Sequence, residues 1–165
     1  MDFPTLEGNG LICIYINVLP SYIDHEVGDI IEITSVEKTE EDNYDYEGQT
    51  CVTQLSQKII GIIPDENGIA ILFNTENNGE TFGDYNILPE FGIDIQAVGI
   101  KGIGIVKVLG KVKKGQALVS SGFSGSARGI KNLGEMNFSF GFALETKITN
   151  DIASIKCYLK WVIYI

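Results

Sequence analysis

Apolar residues recur along this chain in short runs cut by glycine, proline and acidic or amide residues. Such runs have the length and period of strands, and no stretch repeats its apolar positions at the spacing of an amphipathic helix. Gly10 to Leu19 is a strand of continuous apolar character, closed by Pro20. Ile30 to Val36 alternates, with Ile31 and Ile33 on one face and Glu32 and Thr34 on the other. Gln49 to Leu55 and Lys58 to Ile63 follow as strands. Asp65-Glu66-Asn67-Gly68 then reads as a hairpin turn returning into Ile69 to Phe73, because Asn-Gly tolerates the positive φ values of a type I′ turn. Further strands are expected at Ile93 to Ile100, Gly102 to Val108, Gln116 to Ser120, Asn137 to Glu145 and Ser154 to Tyr164. Lys38 to Gly48 reads as an acidic loop, and Asn74 to Glu90 as a surface loop or an insertion that reaches a partner. Only Ile130 to Met136 allows a helical turn. The pattern predicts an all-β fold, a β-sandwich or barrel of short antiparallel strands, or two adjoining β-units. Its divisions are an N-terminal arm (1–9), an acidic β-unit (10–92) and a basic β-domain (93–165).

Charge sharpens that division. Residues 1–94 hold 19 acids and 2 bases, and residues 95–165 hold 3 acids and 10 bases, within a chain of net charge −10. An asymmetry of this size points to a partner surface or a self-complementary contact. The basic part is not laid out for nucleic acid: its lysines are scattered, Arg128 is the single arginine, and no aromatics interleave with the bases. At 165 residues and 44% hydrophobic content the chain can bury a real core. Its longest apolar run, Leu11 to Leu19, is interrupted at Asn17 and too short to span a membrane, and it follows acids rather than the basic residues of a signal peptide. A soluble protein made in a cytoplasm, with no membrane partner, is therefore expected. Cys13, Cys51 and Cys157 are far apart in apolar contexts, which fits buried free thiols better than disulfides or a zinc site.

The chemical readings are weak. Ser120 to Ser126 approaches a nucleophile elbow but has Ser126 where the last glycine belongs, and the one histidine, His25, would have to complete any triad. Gly99-Ile100-Lys101-Gly102-Ile103-Gly104 leads into a strand rather than a helix, so its glycines are expected to serve a bulge or close strand packing, not a phosphate. Asn43-x-Asp45-x-Glu47-Gly48 has the opening rhythm of a calcium loop, but Gln54 holds the position that needs a bidentate glutamate. Asp24-His25-Glu26 reads as a surface turn before Gly28 rather than a metal corner. No catalytic residue, metal or cofactor is expected, and the chain reads as a non-enzyme.

One block carries a resemblance. Val106-x-Val108-x-Gly110-x-Val112, the Lys113-Lys114-Gly115 turn, Leu118-Val119-Ser120-Ser121, Gly125-x-Ala127 and Gly141-x-Ala143-Leu144-Glu145 together resemble a small β-domain of bacteriophage virion proteins, found in tail spikes, head fibres and head decoration proteins. Lys58 to Ile63 is similar to the strand that precedes this block in those proteins, so the resemblance covers about residues 55 to 145. Some spike relatives cleave themselves at a serine. No such site aligns here, and the resemblance implies the architecture and the virion role but no catalytic residue. It implies a structural virion protein of a tailed phage, assembled in the host cytoplasm: a capsid decoration or head-fibre protein on the capsid surface, trimeric, bound to the major capsid protein or other virion proteins. The alternative is a tail spike, tail fibre or baseplate component that binds virion partners or host glycan. On this reading Lys107, Lys111, Lys113, Lys114, Arg128 and Lys131 are candidates for contact with an acidic capsid surface. Phe138, Phe140 and Phe142, spaced to line one face of one strand, are core or oligomer interface, and Trp161 joins the interface set from an apolar C-terminal run that must be paired or covered. The arm could add a strand to a neighbouring subunit.

Overall fold

The computed structural model describes residues 10–18, 25–38, 44–65, 69–72, 84–86 and 96–160. The expected arm, the Asn67-Gly68 turn, most of the polar stretch 74–90 and Trp161 lie outside them. The fold is all-β. In chain order the strands are β1 (Gly10–Val18), β2 (Ile30–Lys38), β3 (Tyr44–Thr50), β4 (Ile59–Ile62), β5 (Ile69–Leu72), β6 (Asp84–Asn86), β7 (Gln96–Leu109), β8 (Ala117–Ser120), β9 (Ala127–Gly129), β10 (Gly141–Ala143) and β11 (Ile152–Leu159).

These strands close into two rings that share β7. In the C-terminal ring β7 pairs with β11, β11 with β10, β10 with β8, β8 with β9, and β9 returns to β7 at Val108↔Ala127. This is a closed five-stranded barrel. In the N-terminal ring β7 pairs with β1, β1 with β3, β3 with β2, β2 with β4, and β4 returns to β7 through Ile62↔Gly99. Closure leaves few open edges, which is how small β-proteins avoid edge-to-edge association. β5 and β6 extend the sheet outward from β1.

Two cores explain the apolar runs. Along β1, Leu11 and Cys13 enter the larger core, which fills the C-terminal barrel, while Ile12 and Ile16 enter the smaller one. Along β4, Ile59 and Ile62 join the first and Ile60 and Ile63 the second. A strand buried on both faces reads as a continuous apolar run, as these two do. The glycines in between allow the close approach: a Cβ on Gly61 would lie 1.9 Å from the carbonyl oxygen of Gly99, and one on Gly99 would lie 2.6 Å from Leu11.

Several expectations are corrected. The runs expected at 93–100 and 102–108 are, from Gln96 on, one long strand, which Gly102 carries through a φ of +111° beside a bulge opposite Ile12 and Cys13. Part of the acidic loop, Tyr44 to Gly48, is strand, whereas Cys51 to Leu55 is irregular. β5 does not fold back on β4; it runs parallel to β1 and antiparallel to β6. The pairs β1–β3 and β7–β9 are parallel too. The six-residue 3-10 helix Leu133–Phe138 takes up Asn137 and Phe138, and β10 spans only Gly141–Ala143, so Phe138, Phe140 and Phe142 do not share a strand. Glu32, placed by alternation on an open face, is buried. Its carboxylate accepts from Gln49 Nε2 at 3.1 Å, Ser56 Oγ at 3.1 Å and Thr53 Oγ1 at 3.4 Å, donors that offset its loss of water.

Candidate docking surface

Expected partner contacts converge on the connection from β7 to β8. Gly110 leaves the strand at φ +82°, and Gly115 takes φ +88° in the turn closed by Gln116 N–H donating to the Lys113 carbonyl at 2.9 Å. That positive φ at the third turn position is the one glycine supplies without strain. The turn is tied down on three sides. Gly115 N–H donates to the Ala143 carbonyl at 2.7 Å, Lys114 N–H to Thr146 Oγ1 at 3.1 Å, and Gln116 Nε2 to the Ile130 carbonyl at 2.9 Å.

An isolated antiparallel bridge, Val112↔Lys147, joins this connection to the β10–β11 loop. Val112 and Lys147 are buried there. The Lys147 ammonium donates to the backbone carbonyls of Gly110 at 2.9 Å, Thr149 at 2.8 Å and Asp151 at 2.5 Å, and Asp151 Oδ1 stands 3.4 Å away. Three acceptors and a nearby carboxylate compensate the buried charge. With Val112 and Lys147 turned inward, strand alternation turns their flanking residues outward: Lys111, Lys113, Thr146 and Ile148 are all exposed, Ile148 at 78%, and Lys114 is exposed at the tip. The product is a rigid, basic ridge with one apolar side chain. The nearest acids on the same elements are Glu145, which accepts from Lys156 N–H, and Asp151, whose carboxyl the Thr149 hydroxyl and Lys147 hold below the usual range.

Other predicted contact residues are placed differently. Lys107, on β7, is half-buried and pairs with Asp29 at 2.8 Å and with Glu26. Burial alone would lower its ammonium pKa, yet these two carboxylates hold it above the usual value. Arg128 is buried and bidentate to Glu135, with Nη1 donating to Oε1 at 2.9 Å and Nη2 to Oε2 at 2.8 Å. Glu135 also accepts the Lys131 N–H at 2.7 Å, and the guanidinium first, then that amide, holds its carboxyl at about 2. Lys107 and Arg128 are therefore committed inside the chain, and of the six candidates Lys111, Lys113, Lys114 and Lys131 present exposed ammonium groups on the surface.

Among the aromatics, Phe140 is core at 4% exposure. Phe142 is half-buried and stacks on Tyr158 with ring centroids 5.3 Å apart, and Phe138 half-lines a cleft with Ser56, Gln57 and Ile59. Exposed apolar side chains that sequence alternation passed over are Leu133, at 84%, and Met136, at 41%. They stand three apart on the 3-10 helix, where such positions eclipse, and the Arg128–Glu135 pair anchors that helix.

The remaining motifs behave as ordinary structure. Ser120 ends β8 and Ser121 to Ser126 form the β8–β9 hairpin loop, in which Ser126 Oγ donates to the Phe123 carbonyl at 2.6 Å. Glu47 lies in β3 and accepts from the Thr34 hydroxyl at 3.3 Å, and His25 Nδ1 pairs with Thr50 Oγ1. No cluster of metal-ligating side chains occurs among the described residues. All three cysteines are buried and free, with burial pushing Cys13 and Cys157 up to about 12 and Cys51 to about 11.

No family model matches the chain, and no curated protein matches it. Among solved structures it is similar to the pre-mature gene product 12 of bacteriophage phi29, with a TM-score of 0.48 and 18% identity over 92% of this chain. The match covers 21% of that protein, so the chain spans about a fifth of its length.

Proposed function

We propose that this chain is a structural virion protein of a tailed bacteriophage, a capsid decoration or head-fibre protein that binds the major capsid protein shell as a homo-oligomer, with a trimer as the expected form. It turns over no substrate on this reading. The observation that carries it is the block from Val106 to Glu145: the residues that resemble phage virion β-domains are the ones that build the barrel wall and hold its Lys113-Lys114-Gly115 turn outward. Lys111, Lys113 and Lys114 then meet an acidic virion surface, and closure of the barrel keeps the ridge in place while it is bound.

The test is cosedimentation of purified protein with capsid shells, comparing the native chain with Lys111→Glu/Lys113→Glu/Lys114→Glu. Expected is salt-sensitive binding by the native chain and loss of occupancy in the variant at an unchanged melting temperature, since the three side chains are exposed. Equal occupancy of both proteins would remove the ridge from the contact. Binding to purified tails in place of shells would move the protein to a spike, fibre or baseplate.

A further inference from the structure

Among the described residues two that are not glycine take positive φ, Leu55 at +53° and Ser124 at +41°. Such residues are uncommon and persist only where the surrounding structure fixes them. Both lie at one end of the C-terminal barrel, in two segments stitched together: 51–57, which leads toward β4, and 121–126, which joins β8 to β9. Gly125 N–H donates to the Cys51 carbonyl at 2.8 Å, Leu55 N–H donates to the Ser120 carbonyl at 3.1 Å, and Gln54 forms a bridge with Ser121. At the tip the backbone of Phe123 is held from inside the loop. Its N–H donates to Ser121 Oγ at 3.0 Å, and its carbonyl accepts from Ser126 N–H at 3.0 Å and from Ser126 Oγ at 2.6 Å. The side chain is left outside: Phe123 is 58% exposed, and Val52, on the facing segment, 51%.

Charge sets this surface apart from the other exposed apolar side chains. Val36 is followed by Glu37, Leu133 and Met136 flank Glu135, Ile148 stands beside the lysines of the ridge, and Ile152 follows Asp151. Neither 51–57 nor 120–127 contains an acidic or basic residue. The two carboxylates that reach these segments from below, Asp29 and Glu32, are buried, the first paired with Lys107 and the second with the hydroxyls of Thr53 and Ser56. The exposed surround is neutral: Thr53, Gln54 and Ser124. A surface on a rotation axis meets its own copies, so any charge it carries faces a like charge. Among the exposed apolar side chains of the described residues, Val52 and Phe123 lie where that repulsion does not arise.

We propose that this end of the barrel is the contact between copies of the chain, with Phe123 at the rotation axis of the homo-oligomer and Val52, Thr53, Gln54 and Ser124 around it. This rests on the reading of the chain as a homo-oligomer and names the surface that makes it one. An aromatic side chain in an uncharged surround has the composition of an interface centre, and a loop fixed before association loses little freedom on docking. β8 runs from the Lys113-Lys114-Gly115 turn to the Phe123 loop, so a strand of four residues, about 13 Å, separates the lysine ridge from the axis surface. The ridge of every copy therefore stays open to a shell while the copies meet at the other end of the strand.

The experiment is solution mass by light scattering over a concentration series, the native chain against Phe123→Asp. That substitution brings one carboxylate per copy to the axis, so association should weaken at least about 100-fold and leave a monomer where the native chain is oligomeric. Circular dichroism confirms that the variant is folded. Phe123→Cys keeps the surface uncharged and tests position: a short bis-maleimide should join two copies through it, because the three native thiols are buried, whereas Lys113→Cys on the ridge should give no joined pair. A Phe123→Asp chain that keeps the native mass, a Phe123→Cys chain that cross-links no more than Lys113→Cys, or a native chain that is monomeric throughout would each overturn the proposal. A native monomer whose shell binding is lost in Phe123→Asp would give this surface to the shell instead. Shell binding also separates the proposal from the functional reading, since Phe123→Asp keeps its lysines. If the native chain is oligomeric and binds shells while Phe123→Asp keeps its mass, only the axis contact fails; if Phe123→Asp is monomeric and the native oligomer ignores shells, only the shell reading fails.

Discussion

Gly61 is the position at which one added methyl group does the most damage. It sits in β4 where that strand crosses β7, and the single register pair Ile62↔Gly99 closes the N-terminal ring there. A Cβ would lie 1.9 Å from the Gly99 carbonyl oxygen, 2.8 Å from its carbon and 2.9 Å from Val98 Cγ1. Two of these atoms are backbone, so no rotamer relieves the clash and the strands must move apart by roughly 1.5 Å to reach ordinary van der Waals contact. Overpacking of this kind costs about 3 kcal/mol, and weakening of the pairing at this crossing adds about 1 kcal/mol. At about 3 °C per kcal/mol for a chain of this size, Gly61→Ala should lower the thermal midpoint by roughly 12 °C. Gly115→Ala is the control. Its Cβ would meet nothing within 4 Å, and only the φ of +88° is unfavourable, which costs about 1 kcal/mol. Urea titrations of the two variants decide the matter. A Gly61→Ala midpoint equal to that of Gly115→Ala would refute the close-crossing argument.

Acid should act through Glu135 and leave the buried thiols, which are already protonated, unchanged. The carboxyl falls from an ordinary 4.5 to about 2 on folding, so its pairing with Arg128 contributes stability that is complete above pH 4.5 and is lost as pH falls through the folded value. Melting temperatures should decline between those limits, and Glu135→Gln should flatten that part of the profile; an unchanged slope would exclude the pair as its source. The thiols give the opposite test at high pH: with Cys13, Cys51 and Cys157 held at about 11 to 12, a disulfide reagent at pH 8 should label none of them in the native protein and all three in urea. Rapid labelling of any one without denaturant would show that its strand opens.

Strand positions were legible because the two-residue period is local. The alternation of Ile31 with Glu32 and the apolar run Leu11 to Ile16 needed no distant information to be read as strands. Strand partners were not legible. Nothing in Ile69 to Leu72 distinguishes a return onto β4 from the parallel pairing with β1 that forms, since the choice depends on which edge is free once the rings close. Glu32 failed for a related reason. Alternation specifies two faces but not which is wet, and here Ser56, Thr53 and Gln49 from other segments fold over the carboxylate. Phe138 and Phe140 kept the spacing of a strand while the backbone around Gly134 turned into a 3-10 helix, so an even spacing of aromatics misplaced all but Phe142.

The same distinction separates the lysines. Lys113-Lys114-Gly115 is a turn by its own composition, and its side chains stay outside wherever the flanking strands go. Lys107 and Arg128 look equally basic in the sequence, yet the partners of Lys107 lie far away in the chain, Glu26 being 81 positions distant, and that of Arg128 lies seven positions ahead, in the helical turn expected within Ile130 to Met136. Folding therefore sorts the positive charges. Lys107 is neutralised by Glu26 and Asp29 across the junction between the acidic and basic parts and Arg128 by Glu135 within the basic part, whereas the lysines of the β7–β8 turn are not. A net charge imbalance along a sequence overstates the charge offered to a partner by the number of such internal pairs. The lysines of the ridge are charge that folding leaves without an internal carboxylate.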